Sequence, residues 1–195
     1  SIILEDSRIF ELYIVIKVLD KYFKNNDAYL KRTELELNYL RKYKTPNNNN
    51  WRNAFITLSG LGFLNSKNNL SEAGKDYLVY DYFEFCYLIY DSYIKEYVKE
   101  ILPVIIKKPT LSLSEINFKI KSKFEDKDVL FLTESGNRYL SSWLNIFRDD
   151  YGFISFQSRK RNRVINYDPA EMSKNEFITN LKKYTNSLEY LNRLN

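Results

Sequence analysis

Apolar residues recur at helical spacing along the first 80 residues of the chain. Ile9, Leu12, Ile16 and Leu19 are the clearest example, because steps of three and four residues place them on one face of a helix. The pattern predicts, in order, helices over 7–23, 31–42 and 51–59, a short strand at 63–65, a turn at 68–69 and a helix over 70–80. Asn50 is the predicted N-cap of the third helix.

The remaining residues repeat this order of elements. An aromatic stretch over 81–107 predicts a long helix or a helix pair, and Pro109 ends it. Beyond it the pattern predicts a helix from 112 or 114 to 124, a polar loop at 125–128, a helix from 133 or 135 to 149, strands at 152–156 and 163–167 around a polar tip, and a last helix over 174–194. Alternation of apolar and polar residues marks the strand at 152–156.

Two short phrases occupy matching places in this repeated order. "LGFL" (61–64) and "YGFI" (151–154) each follow the third helix of their half. Three helices, then "LGFL", a polar turn and "LSEAGKDYL" resemble a winged-helix domain. The stretch "TESGNRYLSSWLNIFRDDYGFI", followed by a basic hairpin, resembles the winged-helix modules that read target sites in bacterial restriction enzymes, including type IIS enzymes.

This resemblance implies a mainly α fold with small β-hairpins (α+β). It implies two tandem winged-helix units, over 1–80 and 110–195, joined by a long aromatic helical connector over 81–109. In such domains the third helix is the usual recognition element and the hairpin is the wing. The implied activity is sequence-specific recognition of duplex DNA, with cleavage performed elsewhere.

Composition limits the remaining classes. Hydrophobic residues make up 44% of 195 residues, enough for a packed core, and 5 Gly with 4 Pro favour helices over a loop-rich β fold. A single cysteine, Cys86, cannot form an internal disulfide, so we expect a reducing, cytoplasmic location and a buried thiol. No apolar run approaches the roughly 18 residues of a membrane span, so no membrane partner is expected.

Catalytic chemistry has little support. The chain contains no histidine, which removes the commonest general base and metal ligand, and it has no Gly-rich phosphate loop. Glu125-Asp126-Lys127 is the nearest match to a carboxylate nuclease centre, but no strand-borne Asp precedes it. We predict no cofactor, no metal and no catalytic centre in this chain, although enzyme activity stays open.

Basic and amide side chains identify candidate DNA contacts. The net charge is +5, and four cations without an acid stand in the second hairpin. Arg and Asn are the residue types that read guanine and adenine edges, while small hydroxyls suit phosphates. In the third helix of the first unit, the predicted contacts are Arg52, Asn53 and Thr57. In the third helix of the second unit they are Ser135, Asn137, Arg138 and Ser141, and in the second hairpin they are Arg159, Lys160, Arg161 and Arg163.

Three functions therefore compete. The first is a sequence-specific DNA-binding module, either the recognition part of a restriction-type system or a transcriptional regulator. The second is a tandem winged-helix scaffold that binds a protein. The third is a Mg-dependent nuclease with an unrecognised carboxylate site. Double-stranded DNA is the expected partner, and a homodimer or a partner catalytic domain or subunit is left open.

Overall fold

The computed structural model describes residues 8–23, 50–121, 136–156 and 162–192. Most of these residues are helical, and they contain one two-stranded antiparallel sheet. The predicted mainly α, α+β class is therefore confirmed. No helix in the described ranges has the length and apolar character needed to cross a membrane.

The described helices are α1 (Ile9–Tyr22), α2 (Asn50–Gly60), α3 (Glu72–Asp76), α4 (Tyr82–Ile89), α5 (Lys95–Lys107), α6 (Leu113–Lys121), α7 (Gly136–Asn145), α8 (Lys174–Tyr184) and α9 (Ser187–Asn192). The strands are β1 (Ile154–Phe156) and β2 (Arg163–Ile165). Short 3-10 segments cover Tyr77–Val79 and Pro169–Glu171, and π-helical turns cover Tyr90–Ile94 and Ile146–Asp150. The predicted helix at 31–42 and the loop at 125–128 lie outside the described residues.

Two compact units divide these elements. Residues 8–23, 50–85 and 187–192 belong to the N-terminal unit, and residues 86–121, 136–156 and 162–186 belong to the C-terminal unit. The boundary falls inside α4, after Phe85. The boundaries at residues 80 and 109 rest on the winged-helix interpretation, and they stay a prediction.

In the N-terminal unit, α1 packs against α2 and α9. The apolar positions of α1 that the spacing identified, Ile9, Leu12, Ile16 and Leu19, are buried. The Tyr13 ring lies 5.4 Å from the ring of Phe85, at the start of α4. Burial of this apolar surface is the main stabilising contribution to the unit.

Aromatic side chains form much of the core of the C-terminal unit. The rings of Tyr90, Tyr151, Phe153 and Phe177 lie between 4.7 and 6.2 Å from one another. The Tyr151 hydroxyl donates a hydrogen bond of 2.8 Å to the backbone carbonyl of Cys86, which is buried as expected. Aromatic pairs of this geometry stabilise a core beyond the area they bury.

The prediction of one helix over 174–194 is wrong. The helical backbone stops at Tyr184 and resumes at Ser187. The Asn186 amide donates to the carbonyl oxygen of Asp149 at 2.8 Å, and the Thr185 hydroxyl donates to the same oxygen at 3.2 Å. Thr and Asn form helices weakly, so these long-range hydrogen bonds outweigh continuation of α8.

Candidate nucleic-acid interface

Helix α7 separates its residues into a buried face and a polar face. Leu140, Trp143, Leu144 and Phe147 are buried, at steps of three, one and three residues. Ser141, Asn145 and Arg148 keep partly exposed side chains at steps of four and three residues, so they follow one line along the helix and the π turn after it. The sequence pattern at 139–147 predicts this division.

The end of this helix turns the chain into the hairpin. The amide of Tyr151 donates to Ile146 O at 3.1 Å, five residues back, which is the π-helical hydrogen bond. Gly152 then adopts a φ of +68°, and the Phe153 amide donates to Phe147 O at 2.8 Å. A left-handed glycine after the helix lets the chain reverse, so β1 begins two residues later.

Strands β1 and β2 form the predicted second hairpin. Ile154 pairs with Ile165, Ser155 with Val164 and Phe156 with Arg163. The Asn166 side chain extends the pairing, because its Nδ2 donates to Gly152 O at 2.9 Å. The hairpin is therefore anchored at the turn that leaves the helix. Its tip at 157–161 lies outside the described residues.

The side chain of Phe156 lies where helix and hairpin meet. The guanidinium carbon of Arg148 is 4.9 Å from the centre of this ring, and that of Arg163 is 5.7 Å away. Phe156 is 44% exposed, so water still reaches the ring beside both cations. Cation–π attraction favours keeping two positive charges next to it.

Arg163 has contacts that differ from its predicted role. Its Nη1 donates to the carbonyl oxygens of Pro109 at 3.2 Å and Leu111 at 2.6 Å, and its backbone amide also donates to Pro109 O at 3.4 Å. Burial lowers the pKa of this guanidinium from its usual value. Because its Nη1 group and its backbone amide hold β2 on the segment before α6, we leave Arg163 out of the proposed DNA contacts.

The other predicted contacts of the C-terminal unit divide into two groups. Ser141 is partly exposed on α7, and Asn137 and Arg138 belong to the first described turn of that helix. Four further residues lie outside the described residues: Ser135, Arg159, Lys160 and Arg161.

The N-terminal unit contains the first predicted recognition helix, α2. Its Asn53 is partly buried, and Arg52 lies beside it in the same helix. Thr57 is only 1% exposed, because it shares the buried stripe of Ala54, Leu58 and Leu61. Because its side chain is buried, we leave Thr57 out of the proposed DNA contacts.

The end of α2, like the segment after α7, has a left-handed glycine followed by a buried phenylalanine. Gly62 has a φ of +78°, and the Phe63 amide donates to Leu58 O at 2.9 Å, while the Gly62 amide donates to Ser59 O at 3.0 Å. These are the two hydrogen bonds of a Schellman motif. Leu64 then forms a single antiparallel bridge with Leu70. "LGFL" and "YGFI" thus share a left-handed glycine and a phenylalanine amide that donates back to the helix, but this hydrogen bond reaches five residues back at Phe63 and six at Phe153.

Three residues of this candidate interface were missed from the sequence. Asn145 and Arg148 continue the polar line of α7 beyond Ser141, and Phe156 contacts Arg148. Extending the four- and three-residue spacing past Ser141 identifies the first two. Nothing local identifies Phe156, since its role depends on how the hairpin folds against the helix.

No protein-family model matches this sequence, and neither a curated protein nor a solved structure resembles it significantly. Among the described residues, no group of three or more His, Cys, Asp or Glu side chains could hold a metal ion. The Glu125-Asp126-Lys127 segment lies outside that part of the chain.

Proposed function

We propose that this protein binds double-stranded DNA through α7 and the β1–β2 hairpin of its C-terminal unit. The observation that supports the proposal best is the placement of Phe156 within 6 Å of two guanidinium groups, one from the π turn after α7 and one from β2. It joins the polar face of the helix and the start of the basic hairpin into one surface. A helix and a wing that act on the same duplex need such continuity.

Charge along the chain supports the same surface. Residues 136–167 contain six Lys and Arg against two Asp, a net of +4 in a chain of net +5. One of the two acids, Asp150, is fully buried, and the other, Asp149, is paired with Arg148 at 2.8 Å. Since neither carboxylate presents an unpaired charge to solvent, a polyanion would meet mainly positive groups.

The two elements would make different contributions. Helix α7 would enter the major groove with the polar line of Ser141 and Asn145, and Arg138 one turn earlier in sequence. The hairpin tip, with Arg159, Lys160 and Arg161, would lie along phosphates or in a narrow minor groove. In this proposal the chain is the recognition part of a restriction-type system or a transcriptional regulator, and its positive charge binds the DNA backbone.

Selection of bound oligonucleotides from a random duplex pool tests the proposal directly. Fluorescence anisotropy with the selected duplex at several salt concentrations then measures the phosphate contacts. We expect the logarithm of the binding constant to fall linearly with the logarithm of salt concentration, by about 0.9 for each phosphate neutralised. Changing Arg159, Lys160 and Arg161 together to Ala should lower this slope by roughly 2.7 if each contacts one phosphate.

A matched variant controls for loss of net charge. Lys99, Lys119 and Lys183 are exposed cations of the C-terminal unit outside α7 and the hairpin, and changing them to Ala removes the same charge. We expect this variant to keep nearly the full slope. Equal effects of the two triple variants, or no duplex binding by the unchanged protein, would contradict the proposed function and favour a protein-binding scaffold.

A further inference from the structure

Three side chains near the end of α7 are hydrogen-bonded in series. Arg148 donates from Nε to Asp149 Oδ1 at 2.8 Å and from Nη2 to Asp149 Oδ2 at 3.0 Å. Its Nη2 also donates to Asn145 Oδ1 at 3.1 Å. A two-pronged pair between a guanidinium and a carboxylate has a defined plane, so Asp149 fixes the orientation of Arg148.

Arg148 in turn fixes the amide of Asn145. A guanidinium has only donors, so the amide atom that faces it must be the oxygen. The Nδ2 group of Asn145 is therefore directed away from Arg148, and no described residue accepts a hydrogen bond from it. Asn145 is partly exposed on the same line as Ser141, so its Nδ2 is a positioned donor on the polar face of α7.

We propose that Asn145 donates hydrogen bonds from Nδ2 to an acceptor of duplex DNA, and that Arg148 and Asp149 are its positioning residues. This inference rests on the proposed function. The acceptors with suitable chemistry are guanine O6 or N7, thymine O4 and phosphate oxygens. Adenine, which an unconstrained Asn reads with both amide atoms, is a poorer match because Arg148 already occupies the oxygen.

The inference makes an unusual prediction for Asp149. Electrostatics alone would predict that Asp149→Asn strengthens DNA binding, because the change removes an acid from a basic surface. Loss of the carboxylate that accepts two hydrogen bonds from Arg148 should also let the Arg148 side chain rotate, and the Asn145 amide would then no longer be held in one orientation. We therefore expect Asp149→Asn to bind random duplexes at least as tightly as the unchanged protein while its preference for the selected sequence falls about three- to tenfold, the value of one hydrogen bond.

The closing experiment compares the unchanged protein with Asn145→Ala, Asp149→Asn and the control Asn175→Ala, an exposed amide on α8. Each is titrated with the selected duplex and with duplexes carrying single base-pair changes, after melting curves have established that the variants fold. We expect Asn145→Ala to lose roughly three- to tenfold in affinity and Asn175→Ala to lose nothing.

The outcomes separate the two proposals. A loss confined to one base pair assigns the Asn145 donor to a base edge, and a uniform loss over all duplexes assigns it to a phosphate. If the unchanged protein binds DNA and Asn145→Ala keeps both affinity and sequence preference, this inference is overturned alone. If the unchanged protein binds no duplex, the proposed function fails and the inference fails with it.

Discussion

Replacement of the two left-handed glycines by alanine should have unequal effects. Gly62 and Gly152 have φ values of +78° and +68°, and each lies between a helix and a buried phenylalanine. An L-residue in this conformation costs roughly 1–2 kcal/mol, so both substitutions carry that penalty. They differ in what the added methyl group would meet.

At Gly62 the new Cβ would have no atom within 4 Å. At Gly152 it would collide with the carbonyl oxygen of Tyr184 and lie 2.5 Å from the Cβ of that residue. Overpacking against backbone adds about 1–3 kcal/mol. We therefore expect Gly62→Ala to lower the free energy of unfolding of its unit by about 1–2 kcal/mol and Gly152→Ala by about 2–5 kcal/mol.

Hydrogen exchange followed by mass spectrometry suits this comparison, because peptides from the two units report their opening free energies separately. Peptides from α1 follow the N-terminal unit, and peptides from α8 follow the C-terminal unit. Each variant is the control for the other, since both add one methyl group to a left-handed glycine. Equal losses in the two units would refute the reasoning that the Tyr184 contact decides the difference.

Three further predictions concern the C-terminal unit. Tyr151→Phe removes the hydroxyl that donates to the buried carbonyl of Cys86, so urea titration should show a loss of about 1–2 kcal/mol, and an unchanged midpoint would argue against that bond. Burial raises the pKa of Tyr90 to about 12, and it also raises the pKa of Tyr167. The folded unit therefore holds these protons more tightly than the unfolded chain, in which tyrosines have a pKa near 10. Its free energy of unfolding should be constant below about pH 10 and should fall as the pH rises from about 10 to 12. Melting curves recorded from pH 9 to 11 check this fall, and Tyr90→Phe should make it shallower. Arg163→Ala should lower the free energy of unfolding by about 1–3 kcal/mol through loss of two hydrogen bonds from a charged donor. Arg163→Lys should restore part of that loss, whereas a variant with full stability and weakened DNA binding would return Arg163 to the contact set.

The spacing of apolar residues was sufficient to predict the helices and the hairpin, and the buried faces of those helices, wherever these depend on residues close together in sequence. The apolar positions of α1 and the division of α7 into two faces follow from steps of three and four residues. The hairpin follows from alternation on either side of a polar tip. The same spacing also predicts that Thr57 is buried, because it lies three residues after Ala54 and four before Leu61, which are both buried.

Contacts between residues distant in sequence account for the rest. The break between α8 and α9 depends on the carbonyl of Asp149, 36 residues before Thr185. The contacts of Arg163 depend on carbonyls more than 50 residues away. A short window of sequence contains neither partner. The local pattern therefore predicted one helix over 174–194, and it could not show that Arg163 donates to the backbone of a distant segment.

These long-range contacts also bear on how the proposed interface would work. The carbonyl of Asp149 accepts hydrogen bonds from Thr185 and Asn186, while its carboxylate holds Arg148. Three residues after Asp149, Gly152 packs against the backbone of Tyr184. The end of α8 therefore supports both the π turn that orients Asn145 and the glycine that starts the hairpin. A duplex that binds α7 and the wing together would meet groups already held in place, so less conformational entropy would be lost on binding. Gly152→Ala should for this reason weaken DNA binding even under conditions where the C-terminal unit stays folded.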